Sequence, residues 1–435
     1  MKARLLISIL SSVCAALLHA QTTAPPAATR LTLKDAEALA LKNNPRISMA
    51  KLLVLAQGQV VTEVRSAELP NAYGSLTAVE PHAGSRITAG ALNNPVIYQR
   101  AAGGLTVGQL ITDFGRSRNL VASEKWREKA TSFQQQATAL DVILAVDSAF
   151  YNALAAQAQL EVAQQTVTTR QTTFDQISAL TQAKLKSDLD LSFAGVNLAQ
   201  AKLLLLDSRN HRDAALAALN AILGFEKQQA YLLEDEDAAG PALTLPTANG
   251  DELLDLAFRS RPDLIALQDQ YEAEERFRRA EHDLIRPSVS ALAVVGDTPV
   301  RVPEITSSWY GAAGVNVNIP IFNGLLFTAR AKEADFRTEA VHQQVRDLRD
   351  MIARDVEVTW LQAQTSFQRL AVAAQLLQEA NQALDLAQAR YKLGLGSIVE
   401  LSQAQLQQTD AAIGEATARF DYLSALASLR YQTGQ

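Results

Sequence analysis

The chain has 435 residues, a formal net charge of −6 at pH 7 and a single cysteine, Cys14. The acidic balance argues against a nucleic-acid partner, and one cysteine provides neither a disulfide framework nor a thiolate metal site. The five histidines are scattered without metal-ligand spacing, and no nucleophile elbow or phosphate loop is present. We therefore expect no metal, no cofactor and no enzymatic activity.

Residues 1–20 are typical of a secretory signal peptide, because Lys2 and Arg4 precede a short apolar stretch. The stretch is too short to span a bilayer. Cys14 lies inside it and lacks the small residue that normally precedes a lipidated cysteine, so we do not expect lipidation. Residues 21–30 are predicted to form an N-terminal linker, and the mature chain is predicted to be exported.

The rest of the chain is a duplication. Residues 32–45 match residues 249–262 at an offset of 217, and further on Gly224 matches Gly434 at an offset of 210. A period of this length is too long for a stacked solenoid and indicates two domain-sized units. The predicted divisions are a first repeat at 31–224, an inter-repeat linker at 225–248 and a second repeat at 249–435.

Each repeat contains one very long helix. There is no glycine or proline in the 79 residues between Gly115 and Gly195, or in the 69 residues between Gly324 and Gly394. Stretches without helix breakers are predicted to be helical throughout. A helix of this kind extends about 110 Å at 1.5 Å per residue, which is far more than a compact globular domain needs.

Each repeat also contains two half-length helical segments, 32–69 and 188–224 in the first repeat. Their combined length equals that of the long helix, so we expect two stacked half-length helices to pair with one long helix. The second long helix shows two rows of apolar residues, which predict two neighbouring helices. The rows are Leu370, Leu377, Leu384 and Tyr391, and Ala373, Leu376, Ala380, Ala383 and Ala387.

Strand-like segments lie between the first half-length helix and the long helix of each repeat, at about 72–112 and about 288–321. Apolar and polar residues alternate there, which predicts strands with one apolar face and one wet face. In a membrane barrel these faces would meet lipid and a water-filled lumen. The predicted lumen-facing residues are Thr106, Asn316 and Asn318, and the predicted lipid-facing residues are Leu105, Val107, Val315, Val317 and Ile319.

Four strands are too few for a membrane barrel, since the smallest known barrels have eight. An open sheet edge cannot face lipid, because its unpaired N–H and C=O groups would cost several kcal/mol each. The sequence therefore predicts an oligomer in which several copies close one barrel.

The ordered motifs make the chain similar to TolC-type outer-membrane efflux proteins over residues 31–435. They are the start at residues 31–45, its echo ending at Pro262, Pro320-Ile-Phe-Asn-Gly324, and Tyr391-Lys-Leu-Gly-Leu-Gly-Ser397. The resemblance implies a homotrimer with a 12-stranded outer-membrane barrel and a periplasmic α-helical barrel. It also implies an exit duct that works with a periplasmic adaptor and an inner-membrane transporter of RND, ABC or MFS type, in a tripartite pump or a type I secretion system.

The resemblance further implies that the two helix turns at the ends of the long helices form the periplasmic aperture and the adaptor-docking tip. The matching residues are Lys186, Ser187, Asp188, Asp190, Tyr391, Gly394, Gly396, Ser397 and Glu400. The family pattern also includes a basic residue near Gly396 and a second acid near Gln403, and both are missing here. Glu400 and Asp190 are expected to bring carboxylates to a narrow opening; alternatively, they are helix N-terminal charges favoured by the dipole.

A different function also fits the long helices. A periplasmic coiled-coil adaptor or scaffold without a pore would have the same helices, but it would need no alternating strands and would extract without detergent.

Overall fold

The computed structural model of the chain describes residues 29–82, 84–85, 97–227, 229–235, 243, 249–301 and 306–435. The predicted signal peptide and most of the predicted linker 21–30 lie outside these described residues. In the first half the elements are β1 (Thr29–Leu31), α1 (Leu33–Asn43), α2 (Pro45–Arg65), β2 (Asn71–Val79), β3 (Arg100–Thr112), α3 (Arg116–Gln182) and α4 (Asp188–Ile222). In the second half they are β4 (Tyr231–Leu233), α5 (Gly250–Ser260), α6 (Pro262–His282), β5 (Ser288–Val300), β6 (Trp309–Asn318), α7 (Leu326–Lys392) and α8 (Ile398–Gln432).

Corresponding helices in the two halves have equal lengths. The long helices α3 and α7 have 67 residues each, α4 and α8 have 35, α2 and α6 have 21, and α1 and α5 have 11. The predicted fold, a duplicated and mainly helical unit with a few strands, is confirmed.

The first half-length segment of each repeat was predicted as one helix, and in the structure it consists of two helices. The break falls before Pro45 in the first repeat and before Pro262 in the second. A proline pushes the preceding residue into extended backbone, and its missing N–H is tolerated at the first position of a new helix. Asn44 and Arg261, which precede the two prolines, have extended backbone angles as this rule requires.

Both breaks contact the end of the half-length helix that closes the same repeat. Asn44 donates its side-chain N–H to the carbonyl of Ile222 at 2.9 Å, and Ser260 donates its hydroxyl to the carbonyl of Thr433 at 2.7 Å. The matched glycines Gly224 and Gly434 sit at these contacts with φ of +82° and +75°. A side chain there would be strained and would collide with the backbone of the break, which explains the glycine at both positions.

The segments predicted as linkers form a small parallel sheet. Residues 29–31 of β1 pair with residues 231–233 of β4, and Leu31 and Leu233 join the apolar core around Phe150, which is 1% exposed. Within the described residues, Glu234 pairs with Arg30 at 2.9 Å and Asp235 with Arg419 at 3.0 Å.

The prediction that the two apolar rows of α7 lie on separate faces of the helix is wrong. Residues from both rows, Ala380 and Leu384, are buried together on the face of α7 that continues to Tyr391. The 3-4 spacing of these positions places them on one side of a helix. In contrast, Leu376 is 58% exposed and Val372 is 64% exposed within the chain, so the described residues leave these two positions of α7 uncovered.

The four long strands form one antiparallel sheet in the order β2-β3-β5-β6. β5 continues to Val300, and β6 begins at Trp309. β6 ends at Asn318, so Ile319, predicted as a lipid-facing strand residue, lies just beyond the strand. In this four-stranded sheet β2 and β6 are the edges.

Three helical stretches, Pro45–Glu68, Arg116–Gln182 and Asp188–Ile222, have the length and apolar composition that a membrane crossing would require. Only 17% of the most apolar window is buried in the first and third of them. Much of this apolar surface is therefore uncovered in a single chain.

We predict that Gly296→Ala destabilises the sheet, whereas Gly314→Ala does not. A Cβ on Gly296 would lie 2.5 Å from the carbonyl oxygen of Gly103 and would also collide with the Tyr310 ring, while a Cβ on Gly314 meets nothing within 4 Å. Overpacking of this kind costs about 1–3 kcal/mol. Unfolding of the detergent-purified variants, followed by circular dichroism, measures the difference; equal midpoints would contradict the packing described.

Candidate functional site

The first helix turn, residues 183–187, joins α3 to α4. The chain reverses through Lys184, a non-glycine residue with φ of +60°, and the N–H of Leu185 reaches back to the carbonyl of Leu180 at 2.8 Å. Ser187 then caps α4, because its hydroxyl accepts the N–H of Asp190 at 3.1 Å while the Asp190 carboxylate accepts the N–H of Ser187 at 3.2 Å. This reciprocal pair is a capping box, which fixes the start of α4.

The second turn, residues 393–397, repeats this geometry between α7 and α8. Gly394 has φ of +74° at the position that corresponds to Lys184, and the N–H of Leu395 bonds to the carbonyl of Arg390 at 2.8 Å. Ser397 caps α8 by accepting the N–H of Glu400 at 3.1 Å. The glycine relieves here the strain that Lys184 bears in the first turn.

Tyr391 connects the two turns. Its side chain is 6% exposed, and it packs in an apolar cluster that includes Ile177 of α3 and Ile398 of α8. The ammonium of Lys186, from the first turn, lies 3.9 Å from the centre of the Tyr391 ring and 3.4 Å from its carbonyl oxygen. A cation at this distance from an aromatic face is attracted to it, so Lys186 and Tyr391 hold the ends of the two helix pairs together.

The hydroxyl of Tyr391 is buried beside the Asp190 carboxylate. Burial raises the pKa of this hydroxyl to about 12, and the Asp190 carboxylate acts in the same direction. The hydroxyl therefore stays neutral at physiological pH.

The carboxylate of Glu400 is paired within its own turn. It lies 3.0 Å from the guanidinium of Arg390, which also donates to the carbonyl of Leu395 at 3.2 Å. Arg390 lies close to Gly396, since a Cβ on Gly396 would be 3.2 Å from the Arg390 side chain. The fold of the turn thus brings a basic side chain near Gly396, where the sequence itself has none. Arg390 was not among the predicted site residues, because only the fold of the turn brings it there.

These contacts favour the simpler interpretation of the tip acids. Asp190 is occupied by the capping box and Glu400 by Arg390, whereas Asp188 is exposed in the first turn of α4. An exposed acid at this position is favoured by the helix dipole. That Glu400 and Asp190 bring carboxylates to a narrow opening stays a prediction.

A cleft of about 440 Å³ separates α3 from α7 just above the tip. Tyr391 and Lys186 line its lower end. Much of the α3 side of the cleft is uncharged and polar, with Gln165, Thr168, Thr169, Thr172, Thr173 and Gln176; Ile177 and Leu180 of α3 also line it. No signal in the sequence indicates this cleft, because only the packing of the helices forms it.

The strand register sorts the predicted sheet residues into two faces. Leu105 pairs with Val295, which in turn pairs with Gly311 of β6. Every second residue of β6 shares the face of Gly311, so Leu105 lies on the same face as Val315 and Val317. By the same alternation Val107 joins this face, and Thr106, Asn316 and Asn318 lie on the opposite one. One face of the sheet is thus mainly apolar, and the other carries the polar side chains.

Comparisons with known proteins agree with this architecture. The family model for outer membrane efflux proteins matches residues 38–225 and 253–435. Outer membrane protein TolC of Vibrio cholerae serotype O1 is 25% identical over 428 residues, covering 91% of this chain and 89% of that protein. The alkaline protease secretion protein AprF of Pseudomonas aeruginosa is 25% identical over 424 residues, covering 93% and 84%. A crystal structure of CusC has a TM-score of 0.81 at 19% identity and covers 96% of this chain and 95% of that one.

The family model covers most of the chain in two blocks, one in each half, so the chain belongs to the outer membrane efflux protein family. It is an exit duct of the outer membrane, and its helices extend into the periplasm. The members of this family are channels and not enzymes. The alternative of a periplasmic scaffold without a pore is therefore set aside.

We predict that Val317→Arg impairs insertion into the outer membrane more than Asn316→Arg. Val317 lies on the apolar sheet face and Asn316 on the polar one, and a basic side chain facing lipid at mid-depth costs roughly 2–4 kcal/mol. The two positions are adjacent, so each variant controls for the other. The measurement is the amount of folded, heat-modifiable protein in purified outer membranes, and equal amounts would show that the faces are assigned wrongly.

Proposed function

We propose that three copies of this chain close into one duct, in which four strands per chain give a barrel of twelve. The observation that carries the proposal is the pair of open edges, β2 and β6, on a sheet that belongs to an outer-membrane protein. Backbone groups left open in lipid are prohibitively costly. Pairing β2 of one copy with β6 of the next satisfies all of them.

The uncovered apolar side chains on the helices support the same assembly. Leu203 and Leu206 of α4 are 61% and 59% exposed, and Leu52 of α2 is 65% exposed. Monomeric soluble proteins rarely leave contiguous apolar surface of this kind. Contact between the helices of adjacent copies would cover these residues and form the periplasmic α-helical barrel.

In this assembly the apolar sheet face meets outer-membrane lipid, and the polar face with Thr106, Asn316 and Asn318 lines a wet lumen. The tip, at the opposite end of the long helices, is the narrow end of the duct. Packing of Tyr391 with Lys186 draws the two helix pairs of one chain together there, and this contact limits the opening.

The tip also fits the docking of a periplasmic adaptor. The turns carry exposed leucines, with Leu185 at 70%, Leu393 at 74% and Leu395 at 69% exposure. Exposed apolar residues at helix turns provide a binding surface for the end of a partner helix. These leucines were not among the predicted tip residues, although they are adjacent to Lys186 and Gly394.

Cargo would reach the duct from an inner-membrane transporter of RND, ABC or MFS type through that adaptor. The similarity to AprF, which is named for alkaline protease secretion, supports a route that passes macromolecules as well as small molecules. The chain itself conducts passively, with no catalytic step and no cofactor.

We predict that Tyr391→Ala increases the single-channel conductance of the reconstituted protein, while Tyr391→Phe leaves it close to that of the parent. Alanine removes the ring that packs against Lys186 and the cluster around Ile398, whereas phenylalanine keeps the ring and loses only the hydroxyl. Planar-bilayer recording of all three proteins measures the effect.

Equal conductance in the three proteins would place the narrowest point elsewhere in the duct. A rise in Tyr391→Phe as large as in Tyr391→Ala would show that the hydroxyl, and not the ring, closes the tip.

A further inference from the structure

Arg170 is a charged side chain in the wall between helices. It belongs to α3, is 7% exposed, and reaches across to α8. Its Nη2 atom donates to the backbone carbonyl of Gln405 at 2.6 Å and to the hydroxyl of Thr409 at 3.0 Å. Both acceptors are neutral, so neither balances the charge.

No carboxylate lies within ion-pair distance of Arg170 in the part of the chain that the structure describes. Ion pairs balance other buried charges among the described residues: Glu281, 2% exposed at its side chain, lies 2.7 Å from Arg330, and Arg261 lies 2.6 Å from Asp263. Burial lowers the pKa of the Arg170 guanidinium to about 10. A buried charge without a counter-charge is strongly disfavoured, and Arg170 has only the two neutral acceptors.

Arg170 lines a cavity of about 260 Å³ between α3, α4 and α8. A bond of 2.7 Å from the side-chain amide of Asn197 to the hydroxyl of Ser402 joins α4 to α8 at one end of it. The remaining walls combine neutral polar side chains with apolar ones, and consist of Thr166, Gln200, Ala201, Leu204, Leu406, Thr409, Asp410 and Ile413. Asp410, the acid in this set, is exposed and lies beyond ion-pair distance of the guanidinium.

We propose that this cavity binds a small monovalent anion, either a halide or the carboxylate group of a small molecule, against the guanidinium of Arg170. The donors needed are present, because a guanidinium has five N–H groups and Arg170 uses only Nη2 for its protein contacts. Neutral amide and hydroxyl donors around it can complete the anion's shell. The exposed Asp410 disfavours a multiply charged anion. The cavity is formed within one chain, so the proposal does not depend on the number of subunits.

The direct test is anomalous diffraction from crystals of the detergent-purified protein grown in sodium bromide. A bromide peak beside the Arg170 guanidinium is the expected result. The absence of a peak in this cavity, in crystals that show bromide elsewhere, would overturn the proposal for halides. A second data set from crystals grown with bromoacetate tests binding of a carboxylate in the same way. The absence of a peak from both data sets would overturn the whole proposal.

A solution test uses the thermal unfolding midpoint at increasing bromide or acetate. Binding to the folded state raises the midpoint with ligand concentration, so we expect a rise in the parent and in Arg212→Met, and loss of that rise in Arg170→Met. Arg212 is a partly exposed arginine that pairs with Asp213 and controls for general salt effects. The same rise in all three proteins, or a rise in none, would contradict a site at Arg170.

If Arg170→Met does not fold, Thr166→Phe replaces it, since a larger side chain on the cavity wall fills the space and keeps the arginine. Loss of the anion-dependent rise is expected in this variant too. An unchanged rise would show that the anion binds outside the cavity.

Discussion

The unpaired backbone of β2 and β6 is the constraint on which the other features depend. A sheet with two open edges cannot remain in lipid alone, so the strands require neighbouring copies. In the proposed assembly those copies also bring together the long helices, whose apolar faces are uncovered in one chain. Closure of the sheet and burial of the helix faces are then two consequences of the same proposed assembly.

The duplication produces two repeats with the same helix arrangement, and the tip contacts arise where the two repeats differ in sequence. The breaks before Pro45 and Pro262 contact the ends of α4 and α8 through the same geometry. At the tip the repeats differ: the first turn contributes Lys186 and the second repeat contributes Tyr391, and the contact between them joins the two helix pairs there.

The long helices, the duplication and the presence of the strands could be predicted from the sequence, because they follow from the absence of helix breakers, from offsets and from alternation of period two. Contacts that depend on turn geometry could not. The pairing of Glu400 with Arg390 requires the chain to reverse at Gly394, and the unpaired charge of Arg170 depends on which side chains three helices bring near it. The two apolar rows on α7 were misassigned because a 3-4 spacing alone does not say which face meets the same chain and which meets another.

The mass of the complex in detergent tests the central claim most directly. Native mass spectrometry of the purified outer-membrane protein, released gently from its micelle, counts the chains. The proposed closure of three four-stranded sheets into one barrel predicts a complex of three chains that resists dissociation until the sheet unfolds. A stable monomer that remains folded in the membrane would contradict it, because its two sheet edges would then be open to lipid.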